Sequence, residues 1–364
     1  MVKDAVPLES VARALVIKLR HHGDVLLAAP VLSVLKARAP KAEVDALVYA
    51  DTAPMLEGHP ALARLHGVDR RWRTAGTLVR LAHERRLFAA LRARRYDLVL
   101  HLSEQPRGAW LARTLGARYR VAPRIDGRGA FWENSFSHFY PLVGGGRRHQ
   151  VELNLDALRR IGVQPSMDER RVAFVPGAAA EARVDALLAG HGLAAGGFVH
   201  VHPASRWRFK CWPAERNAEL LNRLGIDGHR IVVTAAPDAA EAAFVDEILR
   251  RTQAPVINLA GQLSVKELGA LSARASAFIG VDSMPMHLAS ALGTPLVAIF
   301  GPSGDAEWGP WGGRFRVVTS AHACRPCGLD GCGGGKVSEC LTLLPVAAVH
   351  EAVRELLREA RPGP

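Results

Sequence analysis

Four consecutive residues near the start of the chain, His21, His22, Gly23 and Asp24, set two imidazoles and a carboxylate around a glycine. They lie between the apolar run "ALVIKLR" and the amphipathic run "DVLLAAPVLSVLKARAP". The first reads as a strand and the second as a helix, so the four residues occupy a strand-to-helix turn. Asp24 there suits a helix N-cap, because a carboxylate accepts from the free backbone N–H groups of a first turn. Gly23 permits a tight turn and close approach of another molecule. An unperturbed imidazole titrates near neutrality, which makes His21 and His22 candidate bases or contacts to an anionic group.

The second half of the chain offers three more turns of this kind. "HPASRWRFKCWP", His202 to Pro213, follows an apolar run and carries Ser205, Arg206, Arg208 and Lys210 just past a strand end. Phosphate sites are commonly built at such places, although an ordinary basic loop would look the same. "GVDSMPMHLASALGTPLVAIFGPSG", Gly280 to Gly304, places Asp282, Ser283 and then His287 where a helix begins. The open N–H groups and dipole of that helix suit a pyrophosphate. The plainer alternatives are Ser283 as N-cap and His287 as a structural histidine. In "TAAPDAAE", Asp238 and Glu241 are candidates to hold ribose hydroxyls.

These turns need strands and helices in strict alternation. The first half supplies "AEVDALVYA" and "YDLVLHLS" as strands, with "APMLEGHPALARLHGV", the Arg-rich run and "RGAWLARTLGA" read as helical. The second half runs "FVHVHPAS", "RNAELLNRL", "HRIVVTAAP", "AEAAFVDEILRRT", "VINLAG", "SVKELGALSARA", "AFIGVDS", "MHLASALGTP" and "LVAIFGPSG". Short apolar strands alternating with helices predict an α/β fold with parallel sheets. The chain has 364 residues, enough for two domains. A Pro-, Gly- and Ala-rich stretch divides them, giving domains at 1–178 and 179–345 and a last helix in 346–364 that could pack back onto the first domain. Two doubly wound units with a cleft between them suit an enzyme that uses a nucleotide sugar.

Charge is divided unevenly. Residues 1–180 hold 29 Lys+Arg against 17 Asp+Glu, whereas residues 181–364 hold 18 of each. The whole surplus of +12 therefore sits in the first half, with nine arginines between Arg70 and Arg95. That surface is either a solvated helix face or one that meets something anionic, such as a membrane or a phosphorylated molecule. No nucleic-acid motif accompanies it, so nucleic acid is not an expected partner. No long apolar run predicts a membrane span, and the charged N-terminus does not read as a signal peptide, so a cytoplasmic location is expected. Four of the five cysteines, Cys324, Cys327, Cys332 and Cys340, lie within 17 residues. In a cytoplasmic protein such spacing leaves free thiols as the expectation and a structural metal as the alternative. Cys211 is expected to be a packed thiol beside Lys210.

At "HHGD", "HPASRWRFKCWP", "GVDSMPMHLASALGTPLVAIFGPSG" and the cysteine run, the chain resembles glycosyltransferase family 9, the lipopolysaccharide heptosyltransferases. "KLRHHGDVLLAAPV" together with "CGLDGCGGGKVSECL" most resembles the heptosyltransferase III branch. The resemblance implies a GT-B architecture, with an ADP-heptose donor on the C-terminal domain and the acceptor on the N-terminal one. It implies inverting transfer of heptose to the heptose region of the lipopolysaccharide inner core, with no cofactor required. Asp24 would be the general base, and Lys210 would meet the charge on the leaving diphosphate. Ser205, Arg206, Asp282, Ser283, Met284 and His287 would hold the donor, and Leu263 would meet the adenine. His21, His22 and Gly23 would touch the acceptor, together with loops in residues 21–25, 103–135 and 144–152. Met284 departs from the family pattern, which has glycine there. The resemblance also implies peripheral contact with the anionic inner membrane. The alternatives are heptosyltransferase II activity or another donor on the same fold, and a non-catalytic protein that binds a nucleotide sugar or an anionic surface.

Overall fold

The computed structural model describes residues 4–74, 76–142 and 147–360. The chain divides into two compact units, residues 1–173 and 174–364. The break falls slightly ahead of the one expected at 178. Residues 144–146 of the expected acceptor loops, and residues 361–364 of the expected last segment, lie outside the described residues.

The first unit contains β1 (Arg13–Ile17), β2 (Glu43–Tyr49), β3 (Leu62–Val68), β4 (Leu98–His101), β5 (Tyr119–Arg124) and β6 (His138–Pro141). All neighbouring strands pair in parallel, in the order β3-β2-β1-β4-β5-β6. Between and after them come α1 (His22–Leu26), α2 (Ala29–Arg38), α3 (Thr77–Ala93), α4 (Pro106–Thr114), α5 (Gly129–Ser135) and α6 (Gln150–Arg160). Residues Ala14 to Ile17 are all buried, as expected of a central parallel strand covered on both faces.

The second unit repeats the plan. Its strands are β7 (Val199–His202), β8 (Ile231–Val233), β9 (Val256–Asn258), β10 (Ala277–Val281), β11 (Leu296–Ile299) and β12 (Phe315–Val318). Its sheet order, β12-β11-β10-β7-β8-β9, is the same connectivity read from the other edge. The helices are α7 (Ala178–Gly190), α8 (Ala214–Ile226), α9 (Ala239–Arg250), α10 (Val265–Arg274), α11 (Met284–Ala291), α12 (Asp305–Trp308), α13 (Glu339–Thr342) and α14 (Val346–Ala360). Val346, Val349, Val353 and Leu356 form one stripe of α14. That stripe joins the core of the second unit with Leu220, Leu224, Val297 and Ile299.

One expected helix is a strand. "APMLEGHPALARLHGV" forms a 3₁₀ turn over Ala50–Met55 and then β3. Pro54 and Pro60 interrupt any longer helix, and pairing with β2 overrides the helical preference of Ala, Leu and Arg.

A polar cluster fastens β2 and β3 to the segment before β4. Asp45, fully buried in β2, accepts from Arg94 Nε at 2.7 Å and Nη2 at 3.0 Å, and from Tyr96 Oη at 2.7 Å. His66 Nε2 on β3 lies 3.5 Å away. Burial pushes the Asp45 pKa upward, but hydrogen bonds from His66, Arg94 and Tyr96 outweigh it and bring the carboxyl down to about 2. Its folded pKa is thus below the unfolded value of about 3.9, so its contribution is complete above about pH 4 and fades as pH falls towards 2. Asp45→Asn should cost about 3 kcal/mol at pH 7, because it leaves the buried Arg94 with only the exposed Glu43 carboxylate, 3.1 Å away, as counter-charge. Urea unfolding at several pH values checks this, and the gap to wild type should narrow below pH 4.

Candidate active site

In an open parallel sheet, ligands sit at the carboxyl ends of the strands where the winding direction reverses. In the first unit that place lies between β1 and β4. The chain leaves β1 through Lys18, Leu19 and Arg20 and enters α1, whose N-cap position is His21. His21 makes no side-chain cap bond, and Asp24 lies in the first turn of the helix. The cap reading of Asp24 therefore gives way to a different one. The Asp24 carboxylate is nearly buried, at 7% exposure, and accepts from Arg20 Nε at 3.3 Å. Val25 and Leu26 beside it are buried and fix the helix against the sheet. His21 is exposed, and His22 and Gly23 are half-buried, on the same turn.

Beneath this turn lies a group that the sequence reading missed. Lys18 is buried, and its Nζ donates to Leu102 O and to Asn154 Oδ1, both at 2.9 Å. Asn154 Nδ2 in turn donates to Leu27 O at 3.0 Å. One ammonium thus links the ends of β1 and β4 to α6, and through α6 to the end of α1. Burial lowers the Lys18 pKa to about 8, while the nearby Asp24 charge works the other way. The only sequence signal was a lysine at the end of an apolar strand. On the neighbouring strand His101 is buried too, its Nε2 lying 3.1 Å from Gln105 O, and burial lowers its pKa to about 3. Gly108 leaves room for that ring, since a Cβ there would come within 2.1 Å of it.

In the second unit the reversal lies between β7 and β10, which pair directly, His202 opposite Gly280. Lys210, in a 3₁₀ turn after β7, donates from Nζ to Asp282 Oδ2 at 2.6 Å. Asp282 is buried immediately after β10. The loop carrying Lys210 is pinned on both sides. Phe209 O accepts from Ser338 Oγ at 2.7 Å, and the fully buried Trp212 donates from Nε1 to Leu344 O at 3.3 Å. Ser283 holds the N-cap position of α11 without a side-chain cap bond, and its hydroxyl donates to Val281 O at 3.3 Å. The first-turn N–H groups of α11 are thus left to backbone and ligand acceptors, although Pro285 removes one of them. Met284 is half-buried at the first helical position, and His287 is buried one turn further on.

The remaining expected residues divide. Ser205 is buried, and its Oγ accepts from Trp207 N at 3.3 Å, which closes a local turn. Arg206 is exposed, its guanidinium 5.4 Å from the Trp207 ring. Arg208 lies 3.9 Å over the Phe244 ring. Asp238 is the N-cap of α9, accepting from Ala240 N and Glu241 N. Glu241 accepts from Ala236 N at 3.0 Å, and burial raises its pKa. Both carboxylates therefore serve the start of α9. Leu263 packs against the small core around Val184 and Leu271.

A second missed group is a row of neutral histidines. Ser272 Oγ donates to Leu268 O at 2.9 Å, so the His200 Nδ1–H must donate to Ser272 Oγ at 3.1 Å. His200 Nε2 then accepts from the Thr234 hydroxyl at 2.7 Å, and His202 Nδ1–H donates to Thr234 Oγ1 at 2.8 Å. Burial lowers the His202 pKa to about 3 and places His200 well below its usual value, so both rings are neutral. This order leaves His202 Nε2 as a lone-pair acceptor at the end of β7.

All five cysteines are free thiols. Burial raises the Cys211 pKa to about 11, and its Sγ lies 3.7 Å from Ser205 O. Cys340 is buried in the core, while Cys324 and Cys332 are exposed. Among the described residues no group of three or more His, Cys, Asp or Glu side chains is arranged to hold a metal ion.

Two doubly wound units, each with polar turns at its own reversal point, define an α/β protein of the GT-B-like class. The pattern of glycosyltransferase family 9 (heptosyltransferase) matches residues 84–337, and the chain belongs to that family. It is 33% identical to lipopolysaccharide heptosyltransferase 3 of Escherichia coli strain K12, over 95% of this chain and 98% of that one. The fold is that of a family 9 glycosyltransferase from Veillonella parvula, with TM-score 0.83, 22% identity and coverage of 98% and 100% of the two chains. It is also that of an Escherichia coli heptosyltransferase solved with ADP-2-deoxy-2-fluoro heptose, with TM-score 0.71, 22% identity and coverage of 94% and 99%.

The Lys18–Asn154 link gives a direct expectation. Asn154→Leu should lower stability by roughly 2–4 kcal/mol, because it removes one acceptor from a buried ammonium and one donor from Leu27 O. Urea denaturation of the purified variant measures this.

Proposed function

We propose that this protein is an inverting transferase that moves heptose from ADP-heptose to the heptose region of the lipopolysaccharide inner core. The observation that carries the chemistry is Asp24, a nearly buried carboxylate held by Arg20 at the reversal point of the first sheet. Asp24 takes the proton of the acceptor hydroxyl as that oxygen attacks the anomeric carbon of the donor. The bond to the ADP oxygen breaks on the opposite face, so the configuration inverts. Lys210 supplies positive charge to the departing diphosphate, and the start of α11 adds backbone N–H donors. Asp282 orients Lys210 through their 2.6 Å contact. His21, His22 and Gly23 stand beside Asp24 on the acceptor side of this reading. Ser205, Arg206, Ser283, Met284 and His287 stand near Lys210 and Asp282 on the donor side.

The heptosyltransferase III branch is favoured by the near full-length likeness to a heptosyltransferase 3. Work on such an acceptor would take place at the cytoplasmic face of the inner membrane. No described helix is long and apolar enough to cross a membrane, so contact there would be peripheral.

Mass spectrometry of core-truncated lipopolysaccharides, incubated with the protein and ADP-heptose, tests the proposal. Heptose should appear only on acceptors that already carry two heptoses. Transfer to a one-heptose acceptor would make the activity that of a heptosyltransferase II, and transfer to none would overturn the donor. Asp24→Ala should slow turnover by about 10²–10⁴ with donor binding retained. Lys210→Ala should weaken ADP-heptose binding about tenfold or more in calorimetry. Full activity in Asp24→Ala would remove Asp24 as the base.

A further inference from the structure

We propose that the face formed by α3, α4 and α5 is a docking surface for an anionic lipid bilayer. Helix α3 spans 17 residues, yet among its described residues only Leu91, near its C-terminal end, is buried. Its first turns stand off the core, with Leu78 at 83% exposure and Val79 and Leu81 at 53% each. Leu78, Leu81, Arg85 and Phe88, at i, i+3, i+7 and i+10, share one face of the helix. Phe88 continues that face onto α4, where its ring centroid lies 5.3 Å from that of the exposed Trp110. Farther along α4, Arg113 lies 5.7 Å from the ring centroid of the exposed Phe131 on α5. Scattered exposed leucines are ordinary, but a continuous ridge across three helices is not.

The charge around the ridge selects its occupant. Arg80, Arg85 and Arg86 are exposed and have no carboxylate partner among the described residues. Glu84, the one acidic residue of α3, is already paired with Arg107 of α4. Leucines that can enter a bilayer boundary, a tryptophan at its level and arginines that can reach lipid phosphates together match an interfacial helix. A second copy of this half of the chain, itself in surplus of positive charge, would repel these arginines, and binding to vesicles that hold lipid alone separates a bilayer from an acidic protein partner. The inference deepens the proposed function and rests on it for its purpose, since a lipid-anchored acceptor must be reached at a membrane. The geometry of the ridge is independent of the reaction.

Vesicle co-sedimentation of the full chain tests this without any sugar substrate. Vesicles of phosphatidylethanolamine with phosphatidylglycerol should pellet the protein, and phosphatidylcholine vesicles should not. Leu78→Ser/Leu81→Ser should weaken partitioning at least tenfold. Each of Arg80→Ser, Arg85→Ser and Arg86→Ser should weaken it about fivefold, an effect lost at high salt. These side chains are exposed, so thermal melts should match wild type. Vesicles with brominated acyl chains should quench tryptophan fluorescence, less so in Trp110→Phe. Transfer to a soluble, lipid-free core oligosaccharide should be unchanged in the leucine and arginine variants of α3. If the protein transfers no heptose but the vesicle results hold, the surface stands and the reaction assignment fails. Equal pelleting of wild type and the double leucine variant would overturn the surface. So would a leucine effect confined to self-association in sedimentation velocity without vesicles.

Discussion

Parallel strands cannot be joined by a tight hairpin, and this constraint organises both units. Each strand must be followed by a crossover before its neighbour can be laid down. All carboxyl ends therefore gather at one edge of the sheet, and the chain must leave each of them through a turn. Where the winding reverses, two such turns part and leave their backbone groups open. Asp24 follows β1 at one reversal, while Lys210 and Asp282 follow β7 and β10 at the other. The groups proposed to react occupy the places where the topology leaves unspent hydrogen-bonding capacity.

The fold was largely legible because this topology writes a plain pattern. Central strands such as "ALVI" and "AFIGV" are apolar throughout, and helices follow them. Edge strands were harder. β3 is largely exposed and built from Ala, Leu, Arg and His, so its local signal was helical and only pairing with β2 makes it a strand. β6 and β12 are four residues each and lie at the sheet edges, too short for a periodic signal. The division into two units was visible in composition.

Within the candidate site, polar residues in short turn motifs stand out in the sequence, and those whose partners lie far along the chain do not. Asp24, Lys210 and Asp282 follow strand ends in short motifs. Lys18 and Asn154 lie 136 positions apart and acquire meaning only through their 2.9 Å contact. The same holds for His200, Thr234 and Ser272, whose hydrogen-bond directions follow from counting protons in three dimensions. Asp238 and Glu241 show the opposite case. The start of α9 takes one oxygen of each, Asp238 Oδ1 and Glu241 Oε2, a local use that their position in the sequence does not reveal.

The contact between Lys210 and Asp282 bears on how quickly the protein could turn over. An ammonium that keeps its own carboxylate at 2.6 Å meets an incoming diphosphate with less than its full charge. Affinity for the ground state is thereby held down, while the extra negative charge that develops as the bond breaks still finds a donor in place. On the proposed reaction the same restraint would act on the spent nucleotide, since Asp282 would compete with it for the lysine. An unpartnered lysine in this position would hold the product longer and so trade rate for retention.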